Sequence, residues 1–243
     1  MTDSLGGAQP PREAAHNLEE ATPAAIVEEM QMYYARRAPV YDASMGYDDP
    51  AKVALLGGVI GSLQRQLEGR TVLEVACGPG FWTQFVSQVA VAITATDYNE
   101  STLAEARLKG LPSHVALRVA DAYDLSSVSG TFDGALAGDW FAHVPKSRVR
   151  GFLDGLHQHL RPGARVVFCD QLPGGESWTG VHDVEGNHLQ ERTLADGSRY
   201  RVIKHFLSDG ELHEIFDSYT DRLAIERYPE CRRVVVGYAW NGG

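Results

Sequence analysis

The sequence has few cysteines, a shortage of positive charge and no long apolar run, and each shortage excludes a class of protein. Three cysteines in 243 residues do not make a disulfide framework, so we expect a reducing, cytoplasmic environment. The 22 Lys and Arg residues against 32 Asp and Glu give a net charge of −10, which argues against a nucleic-acid-binding protein. Because no apolar run approaches 18 residues and no basic-then-apolar leader begins the chain, we predict neither a membrane span nor a secretory signal.

The composition changes along the chain and predicts one folded domain behind a disordered tail. Residues 1–22 are polar, contain Pro10-Pro11 and show no periodicity, as is typical of disorder. The remaining 23–243 divide into an N-terminal helical lid, a ligand-binding core, an inserted lid segment with a hairpin, and a C-terminal helix with two strands. These four parts are predicted at 23–68, 69–171, 172–206 and 207–243.

Two helices are predicted before the core. The first covers 24–38, with Thr22 as its N-cap and Pro23 at its first position, and it stops before Pro39. The second covers 50–67, although the Gly57-Gly58 pair weakens its middle.

The core alternates short apolar runs with helical patterns. This alternation predicts a parallel sheet covered by helices on both faces. Further on, Asp196-Gly197 lies between two alternating segments and predicts a hairpin turn. The apolar runs of the core are 72–76, 91–96, 114–120, 132–138 and 165–169.

The first apolar run leads into a glycine-rich turn, and an acid ends the second. Gly78 and Gly80 follow the first run, and Asp97 stands 19 residues after Gly78. In an open α/β sheet such a turn and acid meet at the carboxyl ends of the strands, where ligands bind. A carboxylate accepts hydrogen bonds from a diol and repels a phosphate, so the spacing predicts a cofactor that contains ribose.

A dinucleotide is one cofactor of that kind, and it would make the protein a nicotinamide-dependent oxidoreductase. The dinucleotide motif places a third glycine three residues after Gly80, where this chain has Thr83. Phe81 and Trp82 would also crowd a pyrophosphate at the start of the helix. We keep this activity as the alternative.

Four motifs, in order, resemble those of the class I S-adenosylmethionine-dependent methyltransferases. The run 72–80 is similar to their first motif, and Asp97 to their ribose-binding acid. Asp121-Ala122 is similar to their third motif, and 132–138 to their fourth strand. The resemblance covers about residues 30–240, with Ala76 standing where the family has the first glycine of its turn. It implies an α/β, Rossmann-like, doubly wound sheet of seven mostly parallel strands, the last antiparallel, with a small helical and hairpin lid.

The resemblance also implies a set of residues that bind S-adenosylmethionine. The backbone at Ala76, Cys77 and Gly78 would face the methionine moiety, and Glu74 would lie below the turn. The other implied positions are Asp97 at the ribose, Tyr98, Asp121 and Ala122 at the adenine, Gly138 and Asp139 near the sulfonium, and Tyr41 and Arg37 from the N-terminal lid.

The predicted reaction moves a methyl group to an oxygen or nitrogen of a small-molecule acceptor. Positioning and desolvation supply most of the rate, and His143 is the candidate base for an acceptor that arrives protonated. We predict no metal, because Gln171 replaces the asparagine of the Mg²⁺-dependent members. We predict no nucleic-acid or membrane partner, and monomer and homodimer both stay open, as does a non-catalytic cofactor-binding domain. The aromatic side chains predicted to wall the acceptor pocket are Tyr33, Trp140, Phe141, Trp178 and Tyr200.

Overall fold

Seven strands of the chain form one sheet in the computed structural model, which describes residues 22–174 and 178–242. The strands are β1 (Thr71–Glu74), β2 (Ala92–Asp97), β3 (Val115–Val119), β4 (Phe132–Gly138), β5 (Leu160–Gln171), β6 (Leu189–Thr193), β7 (Arg199–Ile203), β8 (Ala224–Tyr228) and β9 (Arg233–Ala239). The sheet order is β3-β2-β1-β4-β5-β9-β8, and β6 pairs with β7 separately. Strand β9 runs antiparallel to both neighbours, whereas β1 to β5 pair in parallel. The predicted fold class is confirmed.

Helices precede the sheet and connect its strands. The α-helices are α1 (Pro23–Arg37), α2 (Tyr41–Met45), α3 (Pro50–Leu55), α4 (Gly57–Leu67), α5 (Phe81–Val86), α6 (Glu100–Leu108), α7 (Val149–His157) and α8 (Asp209–Phe216). The Thr22 hydroxyl caps α1 by accepting from the amide of Ala25, as predicted. The single helix predicted over 50–67 is wrong. The helix breaks at Leu56, whose amide bonds the carbonyl of Val53 in a tighter turn, just before two glycines of low helix propensity.

The sheet is buried on both faces because successive side chains of its central strands point to opposite sides. Leu73 packs into one cluster with Phe152 and Phe168, while the adjacent Val72 packs into a second cluster with Leu63. All five side chains are at most 2% exposed. This two-sided burial is what a doubly wound sheet requires.

The strand order reverses beside β1, and this reversal positions the candidate site. β1 pairs with β2 on one side, through Val72 and Ile93, and with β4 on the other, through Val72 and Gly134. The chain therefore passes to β2 and β3 first and returns to β4 across β1. A crevice opens at the carboxyl ends of β1 and β4, where such folds bind ligands.

Helix α1 and the β6–β7 hairpin pack together, and we call this pair the cap. Met30 of α1 packs against Val202 and Ile203 of the hairpin, all three nearly or fully buried. Arg201 of the hairpin forms an ion pair with Glu29 of α1. The hairpin predicted at Asp196-Gly197 is confirmed, whereas the predicted tail lies outside the described residues except for Thr22. In the described part of the chain, no helix combines the length and apolarity needed to cross a membrane.

Candidate functional site

A cleft of about 940 Å³, partly open to solvent, lies between helix α1 and the carboxyl ends of the central strands. Its walls combine the glycine-rich turn after β1, the segment after β2, the loop after β4 and several aromatic rings. The cleft thus occupies the crevice where the strand order reverses. The predicted site residues that line it are Tyr41, Ala76, Cys77, Gly78, Asp97, Tyr98, Ala122, Gly138, Asp139, Trp140 and His143.

The turn after β1 exposes its backbone to the cleft. Ala76, Gly78 and Gly80 all have left-handed backbones, with φ values of +52°, +55° and +78°. A Cβ built on Gly78 would meet no heavy atom within 4 Å, so this part of the turn faces open space. A Cβ on Gly80 would lie 3.3 Å from the Cβ of Ala106, because the turn packs closely on helix α6. The turn can therefore bring main-chain atoms against a ligand.

Asp97 ends β2 and lies against this turn. Its Oδ2 accepts a hydrogen bond from the amide of Gly78 (2.9 Å), and its Oδ1 accepts one from the amide of Asn99 (2.8 Å). The residue is 8% exposed, and burial raises the pKa of its carboxyl above the usual value. Asn99 occupies the N-cap position of helix α6, but its side-chain amide donates to the carbonyl of Gln31 (3.2 Å) instead of capping the helix.

Glu74, the last residue of β1, is a buried acid beneath the turn. It is 1% exposed, and neither carboxyl oxygen meets the geometry of a hydrogen bond with a described residue, although the Thr83 hydroxyl is near enough to lower the pKa of Glu74 slightly against burial. Burial raises the pKa of Glu74 to about 8. An acid in this state can bind a cationic or hydrogen-bonding group that enters the cleft above it.

Asp139 follows β4, and its buried carboxylate accepts hydrogen bonds from four side chains. It accepts from the Tyr47 hydroxyl (2.9 Å), the Trp82 indole (3.2 Å) and the Gln171 amide (3.3 Å), and it forms an ion pair with Arg233. Burial opposes ionisation, but the charges of Arg233 and Lys204 and the hydrogen bonds from Arg233 and Trp82 together outweigh it, so the pKa of Asp139 is lowered. Asp139 is a fully bonded anion at the floor of the cleft.

His143 is held in one protonation state by its two neighbours. Its Nδ1 lies 2.5 Å from the carbonyl oxygen of Ile203, which only accepts, so Nδ1 carries the proton. Its Nε2 is therefore an acceptor, and the Tyr34 hydroxyl donates to it over 3.1 Å. Burial holds the pKa of His143 well below the ordinary value, so the ring is neutral. A neutral imidazole behind a cleft-lining hydroxyl can take a proton through that hydroxyl.

Five aromatic residues are predicted to wall the acceptor pocket. Of these five, only Trp140 lines the cleft, and the other four lie elsewhere. Phe141 is a core residue that packs on Phe168 at 4.7 Å, because the short helix after β4 turns it inwards. Tyr33 and Tyr200 pack against each other inside the cap. Trp178 is 59% exposed and lies on Phe206.

Three predicted cofactor residues lie behind or beside the cleft wall. Arg37 donates to Ser44 and stacks over the ring of Tyr41 at 4.8 Å, so it supports a lining residue. Glu74 is beneath the turn, as described above. Asp121 accepts from the amide of Tyr123, which orders the turn beside the lining residue Ala122.

Several aromatic residues line the cleft although the sequence did not predict them as site residues. Tyr34 lies one position beyond the predicted Tyr33, on the face of α1 that lines the cleft. Tyr47 stacks on Phe81 at 3.6 Å and 8°, bringing the segment after α2 onto the turn. Helical periodicity could have placed Tyr34 beside Met30. Nothing in the sequence near Tyr47 predicts its partner.

The described residues contain no cluster of three metal-ligating side chains. The acids near a conceivable Mg²⁺ position are engaged otherwise: Asp139 pairs with Arg233, and Asp170 accepts from the amide of Ala142 (3.2 Å).

Several known proteins that resemble this chain are named as methyltransferases. The Methyltransferase domain family matches residues 72–163. The structure titled "DhpI-SAH complex structure" shares 28% identity, with a TM-score of 0.71, over 91% of this chain and 99% of that one. The structure titled "DhpI-SAM-HEP complex" gives a TM-score of 0.75 at the same identity, over 89% of this chain and 99% of that one. Residues 72–163 form a methyltransferase domain, and the sequence and structural neighbours support a class I S-adenosylmethionine-dependent methyltransferase.

Curated relatives match this chain over part of their length. A ubiquinone biosynthesis O-methyltransferase from Pseudomonas paraeruginosa is 31% identical over 103 residues, 41% of this chain and 44% of the relative. Another from Bordetella avium is 32% identical over 169 residues, 68% of this chain and 65% of the relative. The chain thus spans less than two thirds of each of these two relatives.

Proposed function

We propose that this chain transfers a methyl group from S-adenosylmethionine to an oxygen or nitrogen of a small-molecule acceptor. The observation that carries the proposal is the position of Asp97. Its carboxylate lines the cleft at the end of β2, fixed by the amides of Gly78 and Asn99. A carboxylate held in this way retains lone pairs for two ribose hydroxyls and would repel a phosphate.

The other residues around the cleft fit the remainder of this cofactor. The turn at Ala76–Gly78 offers main-chain atoms in open space for the methionine moiety. Glu74 beneath the turn has two buried oxygens without partners, which suits an ammonium group above it. Ala122 and Tyr98 line the cleft on the side expected for adenine. Bound S-adenosylmethionine would supply an electrophilic methyl group on a sulfonium.

The chain's own residues would contribute positioning, exclusion of water and an acceptor for one proton. The rings of Tyr47, Trp82 and Trp140 shield the end of the cleft near Asp139. Excluding water there strengthens every electrostatic contact at the reacting atoms. An acceptor hydroxyl or amine bound near Tyr34 would release its proton to that hydroxyl as Tyr34 passes its own to Nε2 of His143.

The test is a calorimetric titration with S-adenosylhomocysteine, beside a parallel titration with NAD⁺. We expect micromolar binding of S-adenosylhomocysteine and no heat from NAD⁺. Replacing Asp97 with Ala removes two charge-assisted hydrogen bonds to the ribose and should weaken binding about 100-fold. The matched control is Asp124→Ala, because Asp124 is an exposed acid outside the cleft lining. Heat from NAD⁺ alone would support the oxidoreductase instead.

A further inference from the structure

Lys204 is a buried cation without a close partner. It follows strand β7 and is 2% exposed. Its backbone is bonded twice to His188, which fixes the main chain at this point. Within residues 22–174 and 178–242, no carboxylate lies at ion-pair distance from its ammonium, and no side-chain hydrogen bond engages it.

The neighbours of Lys204 place it behind the cleft wall next to His143, although Lys204 is not itself a lining residue. The amide of His205 donates to the carbonyl of Ala142 beside His143. The preceding residue, Ile203, binds the ring of His143 through its carbonyl. The ammonium is close enough for its charge to lower the pKa values of both His143 and Asp139. Lys204 therefore stands beside the two polar groups that line the acceptor end of the cleft.

Burial lowers the pKa of Lys204, and the charges of Asp170 and Asp139 oppose that effect, but neither carboxylate lies at ion-pair distance as a free counter-ion. Asp139 is already satisfied by Arg233 and three other donors. Asp170 is 9% exposed, has one unpartnered oxygen, and its pKa is raised by burial to about 7, so it is only partly ionised at neutral pH. Arg192, on the exposed part of the hairpin, adds a further cation whose charge acts on Lys204.

A buried ammonium without a partner destabilises a protein, because its lost hydration is not replaced. Such a group persists where a ligand supplies the missing anion. We propose that the methyl acceptor of this protein carries an anionic oxygen group, a carboxylate or a phosphoryl group, that ion-pairs with Lys204. This inference rests on the proposed function and names the substrate class of that site.

The test measures anion binding to protein saturated with S-adenosylhomocysteine. Sodium phosphate and sodium acetate are titrated separately at constant ionic strength, with sodium chloride as the blank. We expect the wild type to bind at least one anion, and Lys204→Met to bind it at least 10-fold more weakly. Lys52→Met removes an exposed lysine elsewhere and should bind like the wild type. If only phosphate binds, the acceptor carries a phosphoryl group. If only acetate binds, it carries a carboxylate. If both bind, the site recognises the anionic oxygens that the two groups share.

A second readout separates a ligand-binding lysine from a structural one. Without added anion, removing an uncompensated buried charge should raise the Tm of Lys204→Met by about 3 °C or more. A lysine that balances Asp170 structurally would instead lower the Tm when removed. Should Lys204→Met fail to fold, that result opposes the proposal, and Lys204→Gln repeats the binding test with a polar side chain.

Two results would overturn the inference: no binding of either anion to the wild type, or equal binding to Lys204→Met. The same preparations are titrated with S-adenosylhomocysteine first. If S-adenosylhomocysteine binds normally and neither anion binds, the anionic acceptor is rejected and the proposed function is unaffected. Failure to bind S-adenosylhomocysteine removes the proposed function itself.

Discussion

Gly138 lies directly against the indole of Trp82. A Cβ built on Gly138 would come 2.3 Å from Cδ1 and 2.8 Å from Nε1 of that ring. The indole nitrogen in turn donates to Asp139 (3.2 Å). The absence of a side chain at Gly138 thus lets an aromatic ring reach the carboxylate at the floor of the cleft.

Replacing Gly138 with Ala should push Trp82 away from Asp139. We expect a loss of about 1–3 kcal/mol in stability from overpacking and about 10-fold weaker binding of S-adenosylhomocysteine. Urea unfolding and calorimetry measure the two effects. Gly155→Ala is the matched control, since nothing lies within 4 Å of a Cβ at that helical position and the change should stabilise the protein. Equal behaviour of the two variants would contradict the role of the Trp82 contact.

Ala76 carries backbone strain at the turn. Its φ of +52° is a left-handed conformation that costs a residue with a Cβ about 1–2 kcal/mol. Ala76→Gly relieves this strain, but glycine also makes the unfolded chain more flexible, which lowers stability. The net effect should be a stabilisation of about 0.5–1 kcal/mol. Thermal unfolding should show a Tm rise of about 1–4 °C. Ala104→Gly, on the exposed face of an ordinary helix, should lower the Tm instead.

Glu74 should make stability fall as the pH rises. Its pKa is about 8 in the folded protein and 4.5 at its ordinary value, so the folded state holds the proton more tightly. The stabilisation is complete below pH 4.5 and is lost as the pH rises through 8. Glu74→Gln has no such proton, so its Tm advantage over the wild type should grow between pH 5 and pH 9. A constant difference across that range would show that the carboxyl does not titrate there.

The ion pair between Asp139 and Arg233 should contribute far more to the free energy of unfolding than an exposed ion pair does. Its side chains are 7% and 6% exposed, so Arg233→Met leaves a buried carboxylate and should cost about 3–5 kcal/mol. The double variant Asp139→Asn/Arg233→Met should recover at least half of that loss, as judged by urea unfolding. Arg107→Met breaks the exposed pair with Glu100 and should cause no measurable loss.

His143 and Tyr34 should affect turnover in different degrees. If the pair accepts a proton, His143→Ala should lower kcat about 100-fold with little change in S-adenosylhomocysteine affinity. Tyr34→Phe interrupts the relay but leaves the imidazole, so we expect a smaller loss. Because the pKa of His143 lies well below its ordinary value, the wild-type rate should show no inflection near pH 6.5. Unchanged kcat in His143→Ala would leave positioning and desolvation as the only contributions.

The sequence predicted the sheet because apolar runs and glycine turns are local signals. Asp97 and Gly78 were paired correctly since their spacing follows from the strand–turn–helix unit. The acceptor side was predicted poorly, because its walls depend on distant contacts. Tyr47 reaches Asp139 across 92 residues, and Phe141 turned into the core because of helix geometry that its neighbours do not encode. More of the predicted cofactor residues than of the predicted acceptor residues therefore line the cleft.

The cap joins two segments that are far apart in the chain, and this separation bears on how the protein folds. Glu29 and its partner Arg201 are 172 residues apart. Contacts of such long range form late, since a large loop must close before they contribute any energy. We therefore expect the cap to complete folding after the sheet and to open as one unit, with its amide hydrogens exchanging before those of β1 and β4. Such an opening would also admit solvent, substrate and product to the cleft without disturbing the sheet.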